Sequence, residues 1–122
     1  MKTLFASLAA LAVASAFAQT QALIDLSRPV FVKEGSLLCH DWRIMRMADI
    51  DAFRAPKDAW PEILRRYGCE IVGSRRKVEL VTPAKGSDAA NAYEMRGLIG
   101  IRWNKPDGTP SSGFVGQISL VN

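Results

Sequence analysis

The chain has 122 residues and a formal net charge of +4, with 16 Lys and Arg against 12 Asp and Glu. This mild positive balance does not predict a nucleic-acid partner, and the length suits a single domain. Because the sequence contains one histidine, it offers no set of histidine ligands for a metal, and we expect neither a metal nor a cofactor.

Residues 1–18 have the features of a cleaved secretory signal peptide. Lys2 supplies a positive charge, residues 4–17 contain no charged side chain, and Ala16-Phe17-Ala18 places small residues at the cleavage positions. Ala14-Ser15-Ala16 offers a second cleavage position. An apolar run of about 14 residues is shorter than the roughly 20 needed to span a bilayer. We therefore expect export to the periplasm or the medium, without stable membrane insertion after cleavage.

The two cysteines, Cys39 and Cys69, are expected to form one disulfide, because exported chains meet an oxidising environment. Loop-closure entropy for a loop of this length predicts about 3–4 kcal/mol of stabilisation. The alternative is a pair of free, buried thiols, which export disfavours.

The predicted domain, residues 30–122, follows a polar lead-in segment at residues 19–29. Val30-Phe31-Val32 and residues 36–39 are predicted strands because they are rich in β-branched and other apolar residues. Lys33-Glu34-Gly35 forms the turn between them. The sequence after these strands changes to a helical period.

Two short helices are predicted after these strands. The first spans residues 42–54 with Asp41 as its N-cap, and its apolar side is expected to comprise Ile44, Met47, Ala48, Ile50 and Phe53. The second begins at Asp58 or Trp60 and ends at Gly68, a residue suited to a left-handed cap. Its inner side is expected to comprise Ile63, Leu64 and Tyr67.

From Cys69 onward the sequence predicts short strands and turns. The small, polar residues 84–91 predict a mobile loop, and residues 104–113 predict a long, turn-rich connection. Strand candidates lie at residues 69–72, 77–82, 93–95, 98–103, 114–115 and 118–121. The expected fold class is α+β, with either a small barrel or a strongly bent antiparallel sheet.

Four short segments together resemble a known group of proteins. They are Val32-Lys33-Glu34-Gly35-Ser36-Leu37-Leu38-Cys39, Tyr67-Gly68-Cys69-Glu70-Ile71-Val72, Val78-Glu79-Leu80-Val81 and Gly113-Phe114-Val115. The pattern is similar to that of small exported bacterial envelope proteins with an SH3-like barrel and a helical insertion. The resemblance implies a binding or structural role. Residues 83–91 and 104–112 are long for a tight barrel, so the number and register of the last strands stay open.

No residue is expected to be catalytic. Cys39-His40-Asp41 has the residue types of a nucleophile, a base and an orienting acid, but adjacent residues of a strand point to opposite faces. Asp49 and Asp51 lie roughly 200° apart on a helix, so they do not form a carboxylate pair. Gly97-Leu98-Ile99-Gly100 lacks the lysine that follows in a phosphate-binding loop.

Two features indicate binding instead. Arg75-Arg76-Lys77, which Arg65 and Arg66 could extend, forms a basic cluster that suits an acidic partner, although a solvated turn and helix end would have the same composition. Most aromatic residues are expected in the core. Trp42 and Trp103 are the predicted exposed anchors, since each lies at the edge of an element beside an arginine.

Three functions are compatible with these residues. The preferred function is a non-catalytic exported binding module for a protein or a cell-envelope polymer. The first alternative is an inhibitor or immunity-type protein that blocks an exported enzyme with residues 84–91 or 104–112. The second alternative is a small hydrolase that depends on His40.

Overall fold

The computed structural model describes residues 24–122, so the predicted signal peptide and the start of the lead-in segment lie outside the described residues. The strands are β1 (Val30–Val32), β2 (Leu37–Cys39), β3 (Cys69–Ile71), β4 (Arg76–Leu80), β5 (Leu98–Asn104), β6 (Pro110–Gly116) and β7 (Leu120–Val121). The helices are α1 (Met45–Phe53), α2 (Trp60–Arg66) and α3 (Asp88–Arg96). Short 3₁₀ turns occupy Trp42–Ile44, Lys57–Ala59 and Gln117–Ser119. Within residues 24–122, no helix has the length and apolar character needed to cross a bilayer.

The strands form a seven-stranded antiparallel sheet in the order β3-β2-β6-β5-β4-β1-β7. β5 and β6 form the longest pair, which runs from Leu98 opposite Gly116 to Asn104 opposite Pro110. The predicted α+β class and antiparallel sheet are therefore confirmed. The sheet is not closed, and the SH3-like barrel is not confirmed.

The larger hydrophobic core is built mainly from the strands. Its most deeply buried side chains are at most 1% exposed, and they include Val32, Leu38, Ile99, Ile101 and Val115. Ile24, from the end of the lead-in segment, packs into the same core. The Asn122 side chain accepts a hydrogen bond from the Asp25 backbone N–H at 2.7 Å. The described part of the lead-in segment is therefore held against the domain.

The predicted disulfide is present. Cys39 of β2 lies directly opposite Cys69 of β3, and the bond joins residues 30 positions apart in the sequence. A second hydrophobic cluster surrounds the disulfide and contains Met45, Ala48, Ala52 and Leu64. The bond therefore closes the loop that carries α1 and α2.

The side of α1 that packs inward differs from the prediction. The buried residues of α1 are Met45, Ala48 and Ala52, so Ala48 is confirmed, whereas the exposed ones include Met47, Ile50 and Phe53. Asp41 is a cap as predicted, accepting from the Arg43 backbone N–H at 2.9 Å, but it caps a 3₁₀ turn that precedes α1. A 3₁₀ turn has three residues per turn, so it rotates the following helix relative to one continuous α-helix from residue 42.

The second predicted helix is confirmed as α2. Pro61 lies in its first turn, where a missing N–H costs no intrahelical hydrogen bond. Leu64 is buried, and Ile63 and Tyr67 pack against the cluster around the disulfide. Gly68 has a φ of +71°, the left-handed conformation that lets the chain turn from α2 directly into β3.

Tyr67 links the end of α2 to α1, because its hydroxyl donates a hydrogen bond to the Asp51 carboxylate. This hydrogen bond is the main cause that raises the pKa of Tyr67 above its ordinary value, and desolvation and the Asp51 charge act in the same direction. Because the pKa is raised in the folded state, the stabilisation is present at lower pH and is lost as the pH rises through the folded-state value.

In a tyrosinate absorbance titration, we expect Asp51→Asn to lower the pKa of Tyr67. The Tyr67→Phe variant shows which part of the absorbance change belongs to Tyr67. If Asp51→Asn titrates like the unchanged protein, the hydrogen bond to Asp51 does not raise the pKa of Tyr67.

α3 replaces the second half of the loop predicted at residues 84–91 and the whole strand predicted at 93–95. Residues 84–87 form a loop as predicted, whereas the loop prediction for residues 88–91 and the strand prediction are wrong. The Ser87 hydroxyl accepts a hydrogen bond from the Ala90 backbone N–H at 3.2 Å and caps the start of the helix. Gly97 ends it with a φ of +65°. The buried residues of α3 are Ala89, Ala90, Ala92 and Tyr93. The high helix propensity of alanine and a cap at each end favour a helix here, and burial of Ala92 and Tyr93 against the domain stabilises it.

The connection between β5 and β6 is shorter than predicted. Strand pairing reaches Asn104 and Pro110, so residues 105–109 alone lie between the strands, instead of the predicted 104–113. The Asp107 carboxylate accepts hydrogen bonds from the hydroxyl and the backbone N–H of Thr109, and these bonds lower the pKa of Asp107. Gly108 has a φ of +86°, which permits the tight turn.

Candidate binding surface around Trp103

Residues from three neighbouring parts of the sheet meet at Trp103. Trp103 is half-buried near the end of β5, on the face that also carries the buried residues Ile99 and Ile101. The His40 ring stacks against the Trp103 ring, with 6.2 Å between the ring centroids and 27° between the ring planes. The Arg76 guanidinium carbon lies 5.1 Å from the centre of the Trp103 ring. This distance is within the range of a cation–π interaction.

Two further cations lie beside this group. Lys77 and Arg102, together with Trp103, line an open concavity of about 520 Å³. Because successive residues of a strand alternate, the Lys77 and Arg102 side chains leave the face of the sheet opposite to that of Arg76, and Trp103 takes part in both groups. Polar and apolar side chains complete the lining, among them Glu79, Asn104 and Pro110. We define the Trp103 surface as His40, Arg76, Lys77, Arg102 and Trp103.

Strand pairing fixes the positions of these side chains. Arg102 lies opposite Glu79 across β5 and β4. His40 directly follows β2, and its Nδ1 atom lies 2.7 Å from the Ser112 carbonyl oxygen of β6. Since a carbonyl oxygen accepts, this contact requires that Nδ1 carry the proton. The backbone of β6 therefore orients the His40 ring beside Trp103.

The Trp103 surface has a positive electrostatic balance. Arg76 forms an ion pair with Glu70, and its side chain is 29% exposed. Arg102 and Glu79 form a longer, exposed ion pair at 3.9 Å, which contributes at most about 1 kcal/mol to stability. Within residues 24–122, Lys77 has no carboxylate within ion-pair distance. The surface therefore has three cations and two carboxylates, which leaves a net positive charge. This charge suits an acidic ligand.

The structure links two of the predicted binding residues to Trp103 in different ways: Arg76 lies against the Trp103 ring, and Lys77 lines the concavity that Trp103 also lines. Arg75 lies elsewhere, because its guanidinium carbon is 4.1 Å from the centre of the Phe31 ring and it donates to the Asn122 carbonyl oxygen. The predicted extension of the basic cluster by Arg65 and Arg66 has a different structural explanation, since both form ion pairs with Glu62 on α2.

The prediction of Trp42 as an exposed anchor is wrong. Trp42 is 6% exposed, and the Arg43 guanidinium carbon lies 5.1 Å from the centre of its ring. The Trp42 indole N–H is buried and has no hydrogen-bond acceptor within the part of the chain that the structure describes. An unpaired buried donor of this kind costs about 1–3 kcal/mol.

Cys39, His40 and Asp41 do not act on one another in this structure. Cys39 is in the disulfide, and His40 is bonded to the Ser112 backbone. Asp41 accepts from the Arg43 N–H and lies 3.5 Å from the Arg43 guanidinium. In residues 24–122 no group of three or more His, Cys, Asp or Glu side chains is placed to hold a metal ion. The chemistry that this arrangement supports is ligand binding through stacking, charge and hydrogen bonds.

Sequence reasoning missed His40 and Arg102 as members of the binding surface. Arg102 lies in β5 and His40 directly follows β2, so the neighbours of both depend on the strand order β2-β6-β5-β4, which nonlocal pairing determines. The available signal was the alternation along β2, which places His40 on the same side as the buried Leu38. That alternation indicates a position near the core but does not identify Trp103 as the neighbour.

Comparison with known proteins does not assign this chain to a family. No protein-family model matches it, and neither a curated protein nor a solved structure does. The function is therefore inferred from the residues of the Trp103 surface and their chemistry.

Proposed function

We propose that this protein is a non-catalytic exported binding module, and that the Trp103 surface binds an acidic protein or an acidic cell-envelope polymer. The observation that carries the proposal is the grouping of Trp103 with His40 and Arg76, next to Lys77 and Arg102. Tryptophan and arginine are the residue types that most often dominate binding energy at interfaces.

Each part of the Trp103 surface supplies a different component of binding. The exposed portion of the Trp103 ring offers apolar area, and the stacked His40 and Arg76 hold the ring in place before a ligand arrives. Lys77 and Arg102 supply charge that attracts an acidic ligand from a distance. Binding should weaken as the salt concentration rises, because exposed charges are screened.

The proposed location is the periplasm or the medium. A buried disulfide fits a chain that folds in an oxidising compartment. The resemblance to small envelope proteins with an SH3-like barrel also belongs to the proposal, and it favours a binding role over catalysis. The inhibitor alternative has less support, since the two loops expected to enter an enzyme are shortened to residues 84–87 and 105–109.

We expect Trp103→Ala to weaken binding at least tenfold, because truncation of a central aromatic anchor commonly costs this much. The measurement is recovery of partners from a cell-envelope extract on the immobilised protein, followed by titration of the recovered ligand. Lys77→Ala should produce a smaller loss that disappears at high salt. Lys85→Ala, on an exposed loop, is the matched control for charge, and Met95→Ala is the control for an exposed large apolar residue.

The melting temperature of each variant must be compared with that of the unchanged protein, because Trp103 also packs against the larger core. Equal recovery by the unchanged protein, by folded Trp103→Ala and by Lys77→Ala would exclude the Trp103 surface as the binding site.

A further inference from the structure

A groove follows α1 on a side of the molecule that the Trp103 surface does not include. Its larger section has a volume of about 430 Å³ and is lined by residues that include Trp42, Met45, Arg46, Arg96 and Ile118. Its smaller section, about 50 Å³, is lined by residues that include Ala52, Phe53, Trp60 and Ile71. The two sections share Leu37 and Asp49. They therefore adjoin along successive turns of α1.

Large apolar side chains lie exposed in both sections. Ile118 is 85% exposed in the larger section, and Phe53 is 80% exposed in the smaller one. They are the two most exposed large hydrophobic side chains in residues 24–122. Exposed apolar side chains that border a groove are typical of a site that a partner covers.

The cations of the groove are confined to its larger section. Arg46 belongs to α1 and Arg96 to the last turn of α3, so two different helices each contribute one arginine to the lining of this section. Neither arginine has a carboxylate within ion-pair distance among the described residues. Asp49 is the acidic residue in the lining, and it lies where the two sections meet. Paired arginines that flank an apolar floor suit a single carboxylate, which guanidinium groups bind through both oxygens.

Trp42 provides a second observation at the same section. This residue lines the groove while 6% exposed, and its indole N–H has no acceptor in residues 24–122. The N–H itself is closed to solvent, so a ligand oxygen would reach it only after neighbouring side chains move. Trp42 therefore adds an unsatisfied donor to the residue set that lines the same section as Arg46 and Arg96.

We propose that the groove binds the C-terminal segment of a partner protein, an extended apolar peptide whose terminal carboxylate lies between Arg46 and Arg96. α1 has nine residues and a length of about 13 Å, which matches about four residues of an extended chain. A terminal carboxylate is attached directly to the backbone, so it reaches both arginines while the peptide lies along the groove floor. Asp49 disfavours a second acidic residue in the middle of the ligand and offers an acceptor to a peptide N–H.

The three tryptophans of the chain allow a direct test. Trp42 lines the larger section, Trp60 the smaller one, and Trp103 belongs to the Trp103 surface. The probe is a mixture of pentapeptides built from Ala, Val, Leu and Phe, with an acetylated amino end and a free carboxylate. In nitrogen–proton correlation spectra of the disulfide-bonded protein, we expect the indole signals of Trp42 and Trp60 to shift and saturate while that of Trp103 stays unchanged. A shift of the Trp103 signal alone, or no shift at all, overturns the proposal.

Amidated peptides and arginine variants test the role of the carboxylate. We expect the same mixture with an amidated end to bind about tenfold more weakly, and Arg46→Gln and Arg96→Gln to cause a similar loss with the free-acid mixture. Arg54→Gln, which removes an exposed charge outside the lining of the groove, should leave the affinity unchanged. Equal binding of the amidated mixture, or an equal loss from Arg54→Gln, overturns the proposal.

An amidated mixture with one internal glutamate distinguishes binding of a terminal carboxylate from binding of a side-chain carboxylate. If this mixture binds as well as the free-acid mixture, the terminal position is wrong. The proposal also stands apart from the proposed function, because Trp103→Ala should weaken binding of the acidic ligand at least tenfold and leave the peptide affinity unchanged. A folded Trp103→Ala variant that loses both ligands overturns the separation of the two sites.

Discussion

Reduction of the Cys39–Cys69 disulfide is expected to lower the free energy of unfolding by about 3–4 kcal/mol, the loop-closure value for a separation of 30 residues. For a domain of this size, that loss corresponds to a fall in melting temperature of more than about 10 °C. The measurement is thermal unfolding followed by circular dichroism, with and without dithiothreitol. Cys39→Ala combined with Cys69→Ala should show at least the same fall, because it also removes buried side-chain atoms. An unchanged melting temperature would mean that the disulfide does not contribute to stability.

The location of the disulfide predicts which part of the protein loosens first. The bond closes the loop that contains α1 and α2, and both cysteines pack in the cluster that these helices cover. Amide hydrogen exchange after reduction should therefore accelerate in α1 and α2 while β5 and β6 stay protected. A uniform acceleration would show instead that the domain opens as one unit.

Gly113→Ala is expected to destabilise the protein by about 1–3 kcal/mol, the usual cost of adding atoms to a closely packed position. A Cβ atom at Gly113 would lie 2.8 Å from the Cys39 carbonyl oxygen and 3.0 Å from Leu38 Cδ2. The first of these atoms belongs to the backbone of β2, which the disulfide also holds. β2 and β6 would have to separate, and we expect the melting temperature to fall by roughly 4–8 °C for each kcal/mol.

Gly116→Ala is the matched control on the same chain segment. No atom lies within 4 Å of a Cβ built at Gly116, and its φ of −69° suits any residue. Replacing glycine by alanine at such a position stabilises a protein by up to about 1 kcal/mol through the entropy of the unfolded chain. If Gly113→Ala is as stable as Gly116→Ala, the close approach of β2 and β6 at this point is wrong.

Local chemistry made part of the fold predictable. The Asp41 cap, Pro61 in the first turn of α2 and the left-handed Gly68 each depend on one residue and its immediate neighbours. The disulfide was predictable because exported chains with two cysteines usually pair them. The inward side of α1 was not predictable, since the 3₁₀ turn before it changes which residues face the core.

The segment that forms α3 carries two conflicting sequence patterns, one typical of a helix and one typical of a loop. Ser87 and Gly97 are suitable caps, and three alanines lie between them. The small and polar residues of the same segment also satisfy the pattern of a loop, so composition alone does not separate the two structures. What separates them is burial of Ala92 and Tyr93 against the rest of the domain, a tertiary contact that no window of sequence contains.

The residues of the candidate site likewise fall into those predictable from local sequence and those that depend on tertiary structure. The choice of Trp103, Arg76 and Lys77 followed from residue type and position at the edge of an element. Trp42 met the same criteria and is buried, because the criteria do not say which edge of an element faces solvent. His40 joins Trp103 only through the order of the strands, which places β2 and β5 on either side of β6.

The open sheet also bears on how the folded chain resists self-association. The strands at its two ends, β3 and β7, contain three and two residues. Such short edges offer an incoming strand few unpaired backbone groups, and β3 carries the charged Glu70 at its centre. The folded protein is therefore a poor template for edge-to-edge pairing. Aggregation, where it occurs, is expected to start from chains in which the β5–β6 pair has opened and exposed a longer edge.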